Sequence, residues 1–324
     1  MRTILIAALL ALSACASTRL APPPPLATTT EAVPIDPTQL QRDRVGELRY
    51  LGGVEIKSTD KRVGGFSSLK RQGGRLFAIV VEGDRAIIDP VERNGRLIGA
   101  KVAQMGDLHG PNGEVIEGSE KADAESLAPY RGGWLVSFEH RHRIDWYKSL
   151  DGRPRPSGLD PVAMFGKLAP NNGVETLATR NGRIFVCAER LPNESGANCM
   201  IVGRHGREPV SIPEPGGGLD PRNAFPVDAD WAADGTLYIL IRSWSGGNDN
   251  RVAIVRRSPD GRLRTLAAFV KPLTTDNYEG LALREEGGRT YLYMISDDNF
   301  KIYNTPDKAD SWQRTLLMKF EVTG

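Results

Sequence analysis

The sequence predicts an all-β fold, a β-propeller of five blades, on three observations. First, one segment pattern recurs about every fifty residues: Gly65-Phe66-Ser67-Ser68-Leu69, Asp123-Ala124-Glu125-Ser126-Leu127-Ala128, Gly173-Val174-Glu175-Thr176-Leu177-Ala178, Asp228-Ala229-Asp230-Trp231-Ala232 and Asn277-Tyr278-Glu279-Gly280-Leu281-Ala282. Second, each is followed by a Gly-containing turn and a short apolar run, the strand–turn–strand signature of a hairpin. The turns are Gly73-Gly74, Gly132-Gly133, Asn181-Gly182, Asp234-Gly235 and Gly287-Gly288. Third, the apolar runs have no 3.6-residue period, and 35 Gly and 22 Pro among 324 residues favour turns over long helices. Repeats of this length, each with three or four strands, describe a propeller.

Taken in chain order, Met1-Arg2-Thr3 and the uncharged apolar run Ile4–Leu12 read as an export signal. A run that short cannot cross a bilayer, which needs roughly 20 residues. Leu12-Ser13-Ala14-Cys15 resembles the lipobox of bacterial lipoproteins. That resemblance implies a signal peptide of residues 1–14 and a lipid on Cys15. With Ala16 where an Asp would retain the protein at the inner membrane, it also implies the outer membrane, facing the periplasm. A plain secretory signal cut near Ala16 is the alternative. Residues 15–45 contain Pro22 to Pro25 and Thr28 to Thr30 without apolar periodicity, and are expected to be an extended tether. Residues 46–324 are expected to be the propeller domain. Within it, Gly46–Ile56 should add a strand to the last blade, Glu279–Val322, closing the ring and removing exposed edges. A sixth blade is open if Arg153–Pro170 conceals a degenerate repeat.

Composition narrows the function classes. With 42 basic and 40 acidic residues there is no basic excess of the kind that neutralises nucleic-acid phosphates. Three cysteines exclude a disulfide-dense scaffold and a four-cysteine zinc site. Cys187 and Cys199 lie twelve residues apart on adjoining expected strands, so an exported chain should pair them; two buried thiols are the alternative. No Gly-X-Ser-X-Gly elbow, P-loop or Rossmann fingerprint is present. Arg204-His205-Gly206-Arg207 lacks the residue that histidine acid phosphatases place between the Gly and the second Arg.

The chemistry is therefore sought in the repeat. Inner strands of a propeller face the channel. Aligning the segments on their central polar residue gives a ring of Ser67, Glu125, Glu175, Asp230 and Glu279, at spacings of 58, 50, 55 and 49. Four carboxylates in a small volume must bind cations, hold protons or pair with Arg and Lys. Oxygen donors in number suit Ca²⁺, while hydrogen bonding to neighbouring blades is the structural alternative. Second strands return to the same face and end in charge: Glu82-Gly83-Asp84, Glu139-His140-Arg141-His142-Arg143, Glu189-Arg190, Arg242 and Asp297-Asp298. Glu139, Glu189 and Asp297 are candidates for activating water, and Arg141, His142, Arg190 and Arg242 for holding an anion. A salt-bridged rim is the alternative. His140 and His142, two apart on an expected strand, would share a face, but zinc would need a third ligand.

The segments around Glu125, Glu175 and Glu279, with Val136–Ile144, Ala188-Glu189-Arg190, Ile295–Phe300 and Arg314–Leu317, resemble the phytase-like β-propeller family, described in bacteria as esterase-like proteins of the phytase family. The resemblance covers about residues 48 to 322. With the rings above, it implies an exported hydrolase that attacks a phosphate or carboxylate ester with metal-assisted water. Ca²⁺ would be the cofactor and a small anionic ester the substrate. The chain would be a monomer that meets the membrane only through its lipid. The alternatives are a non-catalytic ligand- or protein-binding propeller lipoprotein and a structural envelope protein.

Overall fold

A computed structural model describes residues 26–189, 198–244, 249–301 and 313–324. The N-terminal segment supplies β1 (Thr28–Ala32), β2 (Arg44–Val45) and β3 (Leu48–Ser58). Blade 1 is β4 (Phe66–Gln72), β5 (Arg75–Val80), β6 (Asp84–Arg93) and β7 (Arg96–Asp107). Blade 2 is β8 (Ala124–Tyr130), β9 (Gly133–Phe138), β10 (Arg143–Tyr147) and β11 (Pro154–Pro156). Blade 3 is β12 (Val174–Arg180), β13 (Arg183–Ala188), β14 (Cys199–Gly203) and β15 (Gly206–Val210). Blade 4 is β16 (Ala224–Trp231), β17 (Leu237–Trp244), β18 (Asn250–Arg257) and β19 (Leu263–Phe269). Blade 5 is β20 (Tyr278–Glu286), β21 (Arg289–Ser296) and β22 (Leu316–Val322), completed by β3, which pairs antiparallel with β22. These five antiparallel sheets form a five-bladed propeller closed as the sequence predicts. The Arg153–Pro170 stretch holds only the outer strand of blade 2 and one turn of helix (Pro161–Phe165), so there is no sixth blade.

The inner strands do not alternate in burial, because each blade is covered on both faces by its neighbours. β9 is buried at every position. The apolar side chains accordingly form five clusters, one in each gap between blades. Phe138, Trp134 and Tyr147 fill the gap between blades 1 and 2, and Phe269, Phe320 and Tyr278 that between blades 4 and 5. Four inner hairpins turn on two residues of positive φ, such as Asn181 (50°) and Gly182 (75°), the geometry that matches strand twist. In blade 2 the turn is Arg131-Gly132 and not Gly132-Gly133; Gly133 starts β9, opposite Tyr130.

The expected tether is shorter than residues 15–45. β1 covers the outer edge of β3, and Ile35 is buried in the cluster between blades 4 and 5. Asp36, also buried, accepts hydrogen bonds from Thr38 N (2.8 Å) and Gln39 N (3.1 Å). Two apolar residues flanking one proline make no periodic pattern, yet they bury fully where a sheet edge needs a cover. Residues 1–25, including the signal segment and Cys15, lie outside the described residues.

Cys187 and Cys199 face each other across β13 and β14 and form a disulfide inside the cluster between blades 3 and 4. Replacing both with Ala is expected to cost about 2–3 kcal/mol, the chain-entropy worth of a loop this short. Urea denaturation checks this, and a loss below about 0.5 kcal/mol would show the bridge to be energetically idle.

Candidate functional site

One irregularity repeated five times builds the site. In every blade the pairing of the first two strands skips one residue near the start of the inner strand: Ser67, Glu125, Glu175, Val227 and Glu279. A β-bulge leaves its extra residue unpaired and re-aims its side chain. The ring predicted from sequence is therefore correct for Ser67, Glu125, Glu175 and Glu279, and wrong for Asp230. Blade 4 contributes Val227, and Asp230 sits three residues deeper, accepting N–H bonds from Trp231 (2.9 Å) and Leu283 (3.0 Å). Burial, opposed by Lys70, pushes the Asp230 carboxyl up to about 6.

The residue after the bulge lies deeper, and in three blades it binds the backbone of another blade. Ser68 Oγ accepts from Leu127 N (3.2 Å) and Ser126 Oγ from Leu177 N (2.8 Å), each tying one blade to the next. Blade 5 has Gly280 at this position. A Cβ there would lie 2.9 Å from Leu69 N. Asp228 of blade 4 takes over, accepting from Leu281 N (2.8 Å) and Leu69 N (3.1 Å) and pairing with Lys70 Nζ at 2.5 Å. Blades 1 and 4 are not neighbours, so this buried pair spans the channel and gives the mouth a floor.

Above the floor, four residues that follow the second strands, Val81, Glu139, Glu189 and Asp297, share one register with Arg242 near the end of β17. Val81, Glu139, Glu189 and Asp297 each donate their N–H to the entry residue of their own inner strand, namely Gly65, Asp123, Gly173 and Asn277. Arg242 pairs with Phe225 in the blade 4 ladder. Among the described residues the mouth thus gathers seven carboxylates, Asp123, Glu125, Glu139, Glu175, Glu189, Glu279 and Asp297, around the mostly buried guanidinium of Arg242. Arg242 lies 3.0 Å from Glu279 and donates to Asn277 Oδ1 at 2.5 Å. Asn277 Nδ2 in turn donates to Glu279 Oε1 (3.0 Å) and Asp297 Oδ2 (3.3 Å). Glu125, Glu139, Glu175, Glu279 and Asp297 are all under 10% exposed.

Burial raises the proton affinity of this group. It is the first cause at Glu125, Glu175 and Asp297, whose carboxyls stand well above the usual range, with neighbouring carboxylates adding to it. Glu279 is raised less, because Arg242 opposes burial. Glu139 is pushed to about 7, burial outweighing the N–H that Gly173 donates to its Oε1. Gly173 is required there: a Cβ would sit 2.9 Å from Glu139 Cγ. Asp123, Glu125 and Glu139 each bring a carboxylate oxygen within 4.8 Å of the others, the closest approach to a cation donor set among the described residues. His140 Nε2 lies 3.2 Å from Asp123.

His140 and His142 occupy a turn and not a strand; His140 has φ 50°, and His142 Nε2 meets Ala169 O at 3.0 Å. Arg141 is exposed at the same turn. Arg190 lies outside the described residues. Sequence reasoning missed Asp123, Gly173 and Asn277. Each stands two residues before its bulge glutamate, a register visible in the repeat once the bulge is known.

The model of a family described as phytase-like, with esterase-like activity of phytase, matches residues 61–300. The chain belongs to that family. It is thus a hydrolase-type propeller, as the family resemblance implies. A search of curated proteins returned no match. Among solved structures the chain is similar to a thermostable family-43 glycoside hydrolase (10% identity, TM-score 0.46, 79% of this chain and 88% of that one). It is also similar to an α-L-arabinofuranosidase from Podospora anserina (10%, 0.42, 86% and 97%) and a glutaminyl cyclase from Myxococcus xanthus (11%, 0.41, 86% and 97%). At such identities and scores none of their chemistry transfers to this phytase-like propeller.

Proposed function

We propose that this protein hydrolyses a small anionic ester, of phosphate or carboxylic acid, at the channel mouth with the help of Ca²⁺. The observation that carries the reading is seven carboxylates facing, among the described residues, one guanidinium above the buried Lys70–Asp228 pair. The donor set fits the ion: Asp123, Glu125 and Glu139 offer hard oxygens within one small volume, and the described residues of the mouth are short of positive charge. Bound there, Ca²⁺ would supply the positive charge that draws in an anionic ester and polarises its oxygen. Glu139, its Oε1 fixed by Gly173 N, holds its proton to about 7 in the metal-free mouth; with Ca²⁺ beside it the carboxylate would be ionised and placed to take a proton from water. Glu189 and Asp297 stand at the same register in blades 3 and 5, and Arg242 presents the guanidinium that would hold the ester anion.

Protein stripped with EDTA and then dialysed should be inactive towards p-nitrophenyl phosphate, bis(p-nitrophenyl) phosphate, phytate and p-nitrophenyl acetate. Added Ca²⁺ should restore turnover of at least one. Glu139→Gln is expected to lower that turnover about a hundredfold, the lower range for loss of a general base, with unchanged folding. Ca²⁺ binding without turnover of any ester would favour the non-catalytic binding propeller.

The reading also tethers a monomeric body to the bacterial envelope through a lipid on Cys15. Among the described residues no helix is long and apolar enough to cross a membrane. Cys15→Ser should move the protein from the membrane to the soluble fraction; unchanged fractionation would remove the anchor.

A further inference from the structure

The face opposite the mouth carries a recess of reversed charge. The inner hairpin turns of blades 2 and 3 and the turn from β14 to β15 surround a cavity of about 810 Å³. Four arginines line it, Arg131, Arg183, Arg204 and Arg207, against a single carboxylate, Glu208. That carboxylate is already engaged, by Arg183 at 3.4 Å and by Arg257 at 3.0 Å. The excess stands out in a chain whose net charge is only +2 and which gathers seven carboxylates at the other end of the channel.

The guanidiniums retain donors for a ligand. An arginine has five N–H groups. Arg204 gives its Nε to His205 Nε2 (2.7 Å), and Arg207 gives one Nη1 bond to Ala163 O (2.6 Å). Arg131 stacks over Tyr130, 5.0 Å from its centroid, which uses its face and not its edge. Behind them the wall is apolar: Leu159, Ile184 and Val202 line the same cavity and share the cluster between blades 2 and 3. Planar forks match phosphate oxygens two at a time, which a lysine cannot do. An apolar wall beside such a cluster suits a phosphate that carries an organic group.

We propose that this cavity binds a small organic phosphate, its phosphate held by Arg204 and Arg207 with Arg131, and its organic part against Leu159, Ile184 and Val202. The proposal stands apart from the catalytic reading of the mouth. The probe is phenylphosphonate, which a hydrolase cannot cleave, titrated calorimetrically into the full protein in EDTA so that the mouth holds no divalent cation. The expected result is one saturable site, weakened at least tenfold in the double variant Arg204→Gln/Arg207→Gln, less in Arg204→Gln alone, and unchanged by Glu175→Gln. Arg204 is exposed, so the single variant reports on binding even if the double variant is unstable. Absence of saturable binding, or equal binding by wild type and both arginine variants, would overturn the proposal. Sedimentation with phosphatidylglycerol vesicles, but not phosphatidylcholine vesicles, lost in the same variants, would assign the phosphate to a lipid headgroup. Saturable phenylphosphonate binding without vesicle binding would assign it to a soluble ligand.

Discussion

Asp228→Ala is expected to lower the stability of the protein by about 3–5 kcal/mol, the cost of leaving a buried charge without its partner. Asp228 is fully buried and does the work of two residues. It pairs with Lys70 Nζ at 2.5 Å, and it accepts the N–H groups of Leu281, Leu69 and its neighbour Ala229 (2.9 Å), joining blades 4, 5 and 1 across the axis. Removing the carboxylate leaves a buried ammonium, whose remaining acceptors are Leu69 O (3.0 Å) and Leu281 O (3.3 Å). Lys70→Met should cost a similar amount by stranding the acid. The double variant Lys70→Met/Asp228→Leu should regain part of the loss, because no charge is then stranded although the N–H groups still lack an acceptor. Equilibrium urea denaturation of the three variants makes the measurement. A loss under about 1 kcal/mol for Asp228→Ala would mean that water reaches the floor and that the mouth is open to the far face.

The same residue marks the limit of what the sequence disclosed. Blade number, hairpins and ring closure were legible because strand patterning and Gly turns recur at a near-constant interval. The second-strand ring was legible in blades 2 to 5, where Glu139, Glu189 and Arg242 directly follow apolar residues and Asp297 follows Ser296, but not in blade 1, where Val81 and not Glu82 or Asp84 holds the register. The blade 4 register was not. Asp228-Ala229-Asp230 offers two acids near the expected place, and alignment on charge chose Asp230, whereas the bulge falls on Val227. With the bulge as reference the intervals become 58, 50, 52 and 52, more even than those of the charge alignment. The bulge has no residue signature of its own: it accepts Ser, Glu and Val alike, because an unpaired residue is constrained by backbone geometry and not by side chain. The family-like stretch after β21 is also largely structural. Ser296 Oγ accepts from Leu316 N (2.8 Å), while Asp298 accepts from Gly65 N (3.1 Å) and Thr315 Oγ1 (3.0 Å), joining blade 5 to blade 1. Of that stretch, Asp297 faces the other carboxylates.

In EDTA the protein should lose stability as the pH rises from about 5 to about 8, and Ca²⁺ should abolish that loss. Glu139 holds its proton to about 7 in the folded chain, and Glu125, Glu175, Glu279 and Asp297 are raised as well, burial being the first cause in each. In the unfolded chain these groups release their protons near 4. Between those limits the folded state holds more protons, so stability falls with increasing pH. For Glu139 alone the fall is on the order of 3 kcal/mol, and the coupled acids act in the same direction. Below about pH 4 the sign reverses, because exposed acids lowered by arginine neighbours, such as Asp60 beside Arg62 and Asp220 beside Arg222, then take up protons and lose their pairs. Metal-free stability should therefore peak near pH 5. A divalent cation in the mouth favours the ionised carboxylates, and its binding adds about 2.7 kcal/mol at a hundredfold excess over its dissociation constant. That gain grows with pH, as the competing protons leave. Urea denaturation across pH 4.5–8, in EDTA and in millimolar Ca²⁺, separates the two curves. Glu139→Gln should flatten the EDTA curve and narrow the gap between them. An EDTA curve that is level or rising over this range would mean that the mouth carboxylates are already neutralised by Arg242 and solvent, leaving no electrostatic need for a cation.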